Sequence, residues 1–407
     1  MNKIQKMLHD LCPNGVEWKT LGEVFELRNG YTPSKANPAF WEGGTIPWFR
    51  MEDIREHGRI LSDAIQHITP AAVKGKGLFE AGSFILATTA TIGEHALLIA
   101  DSLANQQFTN LKIRKSLEKT LQTKFVFHYM FVVDDFCKKH TNKSGFESVD
   151  MEALRNMPFP IPPLEVQVEI VNLLDKFTQL SAELKAELKA ELKLRRKQYD
   201  YYRNHLLSFD SNSTTVQWMP LGEVAEFTYG YTDKAKDEGD VRYIRITDID
   251  KFGRLSPFDA KYISYTDNIK NYILQKDDIV MARTGATFGK TMIFLEDYPA
   301  VYASFLIKIH LNKSILLPKY YWHFAQSPLY WEQANKLVAG GAQPQFNTGA
   351  ISQVRLPIPP ITEQERIVGI LDKFETLVND LSKGLPAEIA LVQKQYEYYR
   401  NLLLTFE

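Results

Sequence analysis

The stretch of this chain closest to a chemical device is Arg283-Thr284-Gly285-Ala286-Thr287-Phe288-Gly289-Lys290-Thr291, which follows an apolar run and ends in Gly-Lys-Thr. A phosphate-cradling P-loop needs glycine five positions before the glycine of that triplet. Thr284 stands there, and Gly285 comes one residue late. Such a loop must also open a helix, whose N-terminal amides face the phosphate. Here Met292-Ile293-Phe294-Leu295 reads as a strand, so the stretch is expected to be a β-hairpin tip. An equivalent earlier stretch, Thr88-Thr89-Ala90-Thr91-Ile92-Gly93-Glu94, has no lysine. Nine histidines are scattered without metal-ligand spacing. The matched pair His128 and His323 lies in helical sequence, where a packed or hydrogen-bonded histidine is the default. No Gly-x-Ser-x-Gly elbow, Asn/Asp-Pro-Pro-aromatic motif or nuclease-like acidic pair with lysine occurs. Cys12 and Cys137 are too few for a disulfide framework or thiolate metal site. No catalytic or metal-binding residue is therefore assigned, and recognition is the better reading.

Several loops pair base-reading side chains with cations and aromatics. Asn105, Gln106 and Gln107 form one run, and Gln343, Gln345 and Asn347 another after Gly340-Gly341. Carboxamides can bond adenine bidentately, and arginines such as Arg50, Arg245 and Arg283 can take guanine or phosphate. Tyr31, Trp48, Tyr229 and Tyr231 interleave with them, and the hairpin tip adds Thr284 and Lys290 to the DNA-binding candidates. Matched pairs such as Arg50/Arg245 and Asp53/Asp248 point to shared framework or phosphate contact. Sequence-specific contacts are expected where the two halves of the chain differ.

The elements that must position these loops are duplicated. Pro160-Ile161-Pro162-Pro163, the Leu-Leu-Asp-Lys-Phe block ending at Phe177, and Lys197-Gln198-Tyr199-Asp200-Tyr201-Tyr202-Arg203 all return 197 residues later, with only Ile370 for Leu173 and Glu397 for Asp200 changed. Trp18, Leu21-Gly22-Glu23-Val24 and Gly30-Tyr31-Thr32 recur at an offset of 200, and Arg50, Asp53, Gly58 and Arg59 at 195. The chain divides into an N-terminal segment (1–17), a globular domain (18–158), a helical spacer (159–211), a second domain (212–356) and a distal helical spacer (357–407). Short β-rich runs such as Ile46–Phe49 and Ile279–Ala282 build each domain, with one aromatic-rich helix near Lys124–Lys138 and Lys319–Leu337. The fold class is α+β.

Apolar residues in the spacers step by three and four: Ile170, Leu173, Phe177, Leu180 and Leu184, then Ile367, Leu371, Phe374, Val378 and Leu381. Three tandem Ala-Glu-Leu-Lys copies run from Ala182 to Lys193, placing Leu184, Leu188 and Leu192 four apart. That spacing is a stutter in the heptad pattern. Their glutamates and lysines fall in like-charge rows, so length rather than salt bridging explains the repeat. In the second spacer Gly384 and Pro386 are expected to break or kink the helix.

A chain of 407 residues with 44% hydrophobic and 12% aromatic content is expected to hold two or more globular domains. It offers no eighteen-residue apolar window for a membrane span and no apolar signal core near Met1. A cytoplasmic location is the expectation. The net charge of −1 excludes a whole-chain polycation but not a local basic surface.

The duplicated Pro-x-Pro-Pro turn with its downstream Gln167 or Gln364, Leu-Asp-Lys-Phe, and Lys-Gln-Tyr-x-Tyr-Tyr-Arg together resemble the specificity (S) subunit of type I restriction–modification systems. The likeness covers nearly the whole chain. It implies two target-recognition domains separated by two long helices pairing as an antiparallel coiled coil, with a pseudo-twofold internal repeat. It also implies a subunit without catalysis of its own, bound to double-stranded DNA and docking two modification (methyltransferase) subunits. Restriction/translocase subunits join these. No cofactor is implied in this chain; S-adenosylmethionine belongs to the modification subunit, and ATP and Mg to the restriction subunit. Candidate docking residues are Gln167, Phe177, Tyr199, Tyr202, Gln364, Phe374, Tyr396 and Tyr399. Ala182, Leu184, Leu188 and Leu192 mark a spacer ruler between two half-sites. The competing classes are a lone enzyme, which needs a catalytic motif not found, and a coiled-coil adaptor, which predicts no sequence-selective DNA affinity.

Overall fold

The structure is a computed structural model and describes residues 3–142, 147–210, 215–338, 344–380 and 382–406. The chain forms two compact units, one comprising Met1–Leu184 with Val392–Glu407 and the other Lys185–Leu391.

In the first unit, a five-stranded sheet runs in the order 25–29, 108–113, 84–87, 95–98, 60–61. Successive strand residues point to opposite faces. Phe84 and Leu86 accordingly meet Phe125, Val126, Met130 and Val133 of the helix Thr123–Lys139. Ile85 and Ala87 pack instead with Trp48, Phe49, Ile54 and Phe108. A three-stranded sheet of 67–68, 46–49 and 103–104 lies in that second layer. The Trp18 stretch pairs antiparallel with the proline-rich strand, Trp18 opposite Pro160, so the first and last repeat signatures of the domain meet. Val166, Ile170 and Leu174 of the long helix complete the core together with Leu404 and Phe406.

The second unit repeats this plan. Its sheet runs 225–229, 306–311, 279–282, 291–293, beside a smaller sheet of 262–263, 241–244 and 300–302. Trp218 stands opposite Pro357. The stretch around Gly285 is the loop of an antiparallel hairpin, with Met281 paired to Thr291, as the failed P-loop spacing leads one to expect.

One expectation needs correcting. The single helix anticipated near Lys319–Leu337 is two, Pro318–Phe324 and Pro328–Leu337. Pro328 cannot supply an amide to the preceding turn and sits at the start of the second helix, where Ser327 caps the Tyr330 N–H.

The first spacer is one helix, Leu164–Leu206, 43 residues long, or ~65 Å. It continues unbroken through Ala182–Lys193, and the boundary between the units falls inside it. The second spacer breaks as expected, into Ile361–Asn379 and Leu385–Leu403. The Asp380 carboxylate accepts the N–H groups of Ser382 and Lys383, turning the chain out of the helix. Of the seam residues, Leu381 lies outside the described residues.

Within the first unit, Thr178 bonds the Tyr396 hydroxyl at 3.0 Å and Phe177 lies 6.0 Å from Tyr399. Numbers falling on one helix as they rise on the other make the pair antiparallel. In the second unit Tyr202 stacks on Phe374 at 5.2 Å.

Candidate nucleic-acid interface and helix roots

Each domain is fastened to the helix that follows it by the same two devices. Gln167 is fully buried, and its amide donates to the Thr120 and Pro162 carbonyls while its oxygen accepts the Gln122 N–H. Gln364 does the same with Ile315, Pro359 and Leu317. Every polar atom of these side chains is used internally, so they tie helix to domain and present nothing to a partner. That placement corrects the docking expectation for both.

The second device is the aspartate of Leu-Asp-Lys-Phe. Asp175 accepts from Lys124 at 2.6 Å and His128 at 3.0 Å. Asp372 accepts from Lys319 and from His323 at 2.5 and 2.9 Å. Burial opposes ionisation of both aspartates, but the bonds from histidine and lysine hold each below its usual value. Burial also outweighs the aspartate's pull on each histidine, keeping both imidazole values low. The matched histidines are thus hydrogen-bonded framework.

The remaining docking candidates are divided. Tyr199 is buried and its hydroxyl meets His323 at 3.2 Å, so it faces its own unit. Phe177, Tyr202, Phe374 and Tyr396 are half-buried in the helix contacts described above, while Tyr399 is half exposed. Sequence reasoning passed over Tyr201 and its repeat mate Tyr398, which are 63% and 65% exposed. Their place in the duplicated Tyr-x-Tyr-Tyr block was the available signal. Of the ruler positions, Ala182 and Leu184 are exposed, and Leu188 and Leu192 half-buried; Leu192 packs against the second unit's core.

The loop candidates sit on a backbone frame common to both domains. Gly30 N–H bonds the Phe108 carbonyl and Tyr31 N–H that of Ala104; Gly230 and Tyr231 bond Leu306 and Tyr302 likewise. A Cβ on either glycine would overlap the carbonyl of Asn105 or Ala303. Thr88 N–H bonds Gln107 and its carbonyl accepts from Val149; Arg283 does so with Phe305 and Phe346. Thr89 bridges Ser148 as Thr284 bridges Gln345. Asp150 and Asn347 each cap a short helix.

These shared bonds define equivalent positions, and there the side chains part. The first unit carries Asn29, Thr88, Gln107, Ser148 and Asp150; the second carries Tyr229, Arg283, Phe305, Gln345 and Asn347. In the first, hydroxyls and carboxamides bond one another: Thr88 to Thr109 at 3.0 Å, Thr109 to Asn29 at 3.1 Å, Asn105 to Gln107 at 3.1 Å, and Thr32 to Gln106. Tyr31 lies beside them, its hydroxyl bonded to the Ala72 carbonyl and the Lys74 N–H. Asn105 N–H reaches the Phe49 carbonyl, which brings Arg50 to the same end of the domain. In the second, the Arg283 guanidinium lies 5.1 Å from the Tyr229 ring and 5.7 Å from that of Phe305.

Arg50 and Arg245 divide similarly. Asp53 and Asp248 are buried and each accepts the arginine's own N–H at 2.7 Å, a framework role as their matching suggests. The Arg245 guanidinium is held by Asp248 at 2.9 Å and Asp259 at 3.0 Å. The Asp248 bond contributes most to pushing its value above the ordinary arginine range. Arg50 has the exposed Glu52 at 3.9 Å and is the less committed of the two. The side chains of Lys290 and Tyr231 have other neighbours. Lys290 lines a cavity with Tyr199, Asp200, Arg203 and Asp250, and the Tyr231 ring packs against Tyr272 at 5.3 Å. Gln343 lies outside the described residues. The unforeseen positions, Asn29, Thr88, Phe305 and Ser148, adjoin matched glycines and strands, so aligning the two halves residue by residue could have found them.

A family model described as the type I restriction modification DNA specificity domain matches twice, over residues 13–194 and 214–391. The type I restriction enzyme EcoprrI specificity subunit of Escherichia coli is 38% identical over 383 residues, covering 90% of each chain. A putative type I restriction enzyme specificity subunit of Haemophilus influenzae is 31% identical over 404 residues, covering 96% of each. The HsdS subunit from Thermoanaerobacter tengcongensis shares the fold with a TM-score of 0.54 at 17% identity, over 96% of each chain. A chain from a structure concerned with assembly and conformational transition of the type I R-M system matches with a TM-score of 0.66 at 16% identity, over 96% of this chain and 98% of that one. Duplicated domains, duplicated helix roots and these likenesses agree: the chain belongs to the DNA specificity subunits of type I restriction–modification systems.

Proposed function

We propose that each recognition domain reads one half of a bipartite, asymmetric site in double-stranded DNA, with an unread spacer between the halves. The observation that carries this is the common backbone frame bearing hydroxyls and carboxamides in one domain and an arginine between aromatics in the other. One fold presented twice with different edge-reading groups suits two unlike half-sites. The chain itself is non-catalytic. Two modification subunits carrying S-adenosylmethionine methylate adenine, and restriction subunits add ATP- and Mg-dependent translocation and cleavage. The helices set the spacing and dock the modification subunits. Tyr201 and Tyr398, exposed at matching places of the two repeats, support that second role. Replacing both by alanine is expected to release the modification subunits in a pull-down, and undiminished recovery would refute this docking site.

Methylome sequencing of cells carrying the complex tests the whole reading. Two unlike half-motifs with a fixed gap are expected, and a single contiguous motif would overturn it. Each Ala-Glu-Leu-Lys copy adds ~6 Å of helix against ~3.4 Å per base pair. Deleting one copy should therefore shorten the gap by about one or two base pairs with both half-motifs intact. An unchanged gap would make the repeat mere padding.

A further inference from the structure

We propose that Arg283 reads a guanine in the half-site of the second recognition domain, donating from both terminal nitrogens to the major-groove O6 and N7. This rests on the bipartite reading above and adds the residue and the base.

Position is the first argument. Arg283 occupies the frame place held by Thr88 in the other domain, fixed by its N–H to Phe305 at 3.0 Å and its carbonyl from Phe346 at 2.8 Å. The backbone is common and the side chain is not, which is the pattern of a reading position rather than a framework one.

Preorganisation is the second. The Arg283 Nε donates to the Ser304 carbonyl at 3.1 Å, and the rings of Tyr229 and Phe305 lie against the guanidinium. The Tyr229 hydroxyl is itself within 3.3 Å of Thr348 Oγ1. A planar fork held at Nε and by two rings loses little freedom on binding, and its two Nη groups match the paired acceptors of guanine.

Availability is the third. Among the described residues no carboxylate pairs with Arg283. Arg242 and Arg245 share Asp248, at 3.6 and 2.9 Å, and Arg254 is held by Glu375 at 2.6 Å. Those three are committed to the protein, whereas the Arg283 fork is half-buried but not neutralised. A phosphate contact would use the same charge but carry no base preference.

The experiment uses the full chain reconstituted with its modification subunits, carrying Arg283→Lys or Arg283→Gln, on duplex libraries in which every motif position is varied. Lysine keeps the charge and loses the fork. Both variants should lower the preference for guanine at one position of the second half-site by roughly ten- to a hundredfold. The first half-site, the gap, the thermal midpoint and binding to the modification subunits should stay as in the wild type. A uniform fall in methylation with the motif intact, rescued by lysine, would make Arg283 a phosphate contact. Loss of folding or assembly would make it structural, and a change in the first half-site would assign it to the wrong domain; each overturns the proposal. Failure of the broader reading looks different, because the wild-type complex would then show no bipartite motif.

Discussion

The two domains share a backbone and the two main devices of their attachment, but not its secondary ties. In the second, His323 is bonded at both nitrogens, to Asp372 and Tyr199, and Arg254 reaches Glu375 of the following helix through two bonds, at 2.9 and 2.6 Å. In the first, the equivalent of Glu375 is Thr178. Arg59, the counterpart of Arg254, turns back to Asp134 at 3.3 Å. The counterpart of Tyr199 is Tyr396, which bonds Thr178 instead of a histidine. His128 Nδ1 is buried and has no hydrogen-bond partner among the described residues. Duplication preserved the glutamine and the histidine–aspartate contact, and the two copies then acquired different secondary ties. What is retained in both is what the junction requires.

That contrast can be broken at its strongest point. Glu375→Ala strands a partly buried guanidinium and should cost about 3 kcal/mol, read as a lowered midpoint in urea. Thr178→Val at the matching place should cost under about 1 kcal/mol. Equal losses would mean that the ion pair adds nothing to the second root. A shared device should respond alike in both units: Gln167→Ala and Gln364→Ala each orphan buried partners and should each cost about 2–3 kcal/mol.

Acid sharpens the comparison further. Burial holds both histidines below their ordinary value, so the unfolded chain binds the proton more readily. Stability therefore rises with pH through the region around and below ~6.5 and is lost as pH falls through it. The depressed Asp175 and Asp372 act in the same direction at lower pH. Protonating His323 must also turn the Tyr199 hydroxyl from donor to acceptor. His323→Gln should therefore flatten a pH 7-to-5 stability profile more than His128→Gln does, and the reverse order would remove the assigned role of Tyr199. Tyr199→Phe should cost about 1 kcal/mol, and Tyr396→Phe, whose partner Thr178 is exposed, less than that.

Much of this architecture was legible in the sequence because duplication is a local comparison. The constant offset located both helices, Gly384 and Pro386 marked the break, and a misplaced glycine exposed the false P-loop. The contacts that join elements were not legible. Gln167 meets Gln122 and His128 meets Asp175 across nearly fifty residues, and nothing in periodicity reports such pairings. Arg245 read as a candidate base contact because its guanidinium is visible in the sequence and the neutralising Asp259 is not recognisable as its partner. Ser327-Pro328 was a readable stop signal, outweighed by the aromatic periodicity on either side.

The placement of residues 392–406 bears on how the molecule comes into being. Leu404 and Phe406 lie in the first unit's core, and Arg400 covers the Phe131 ring at 4.2 Å. The second unit is continuous in sequence, from Lys185 to Leu391. During synthesis it can therefore close as soon as it emerges, whereas the core of the domain made first is complete only once Leu404 and Phe406 have been added. The order in which the two cores can be completed is therefore the reverse of the usual N-to-C order.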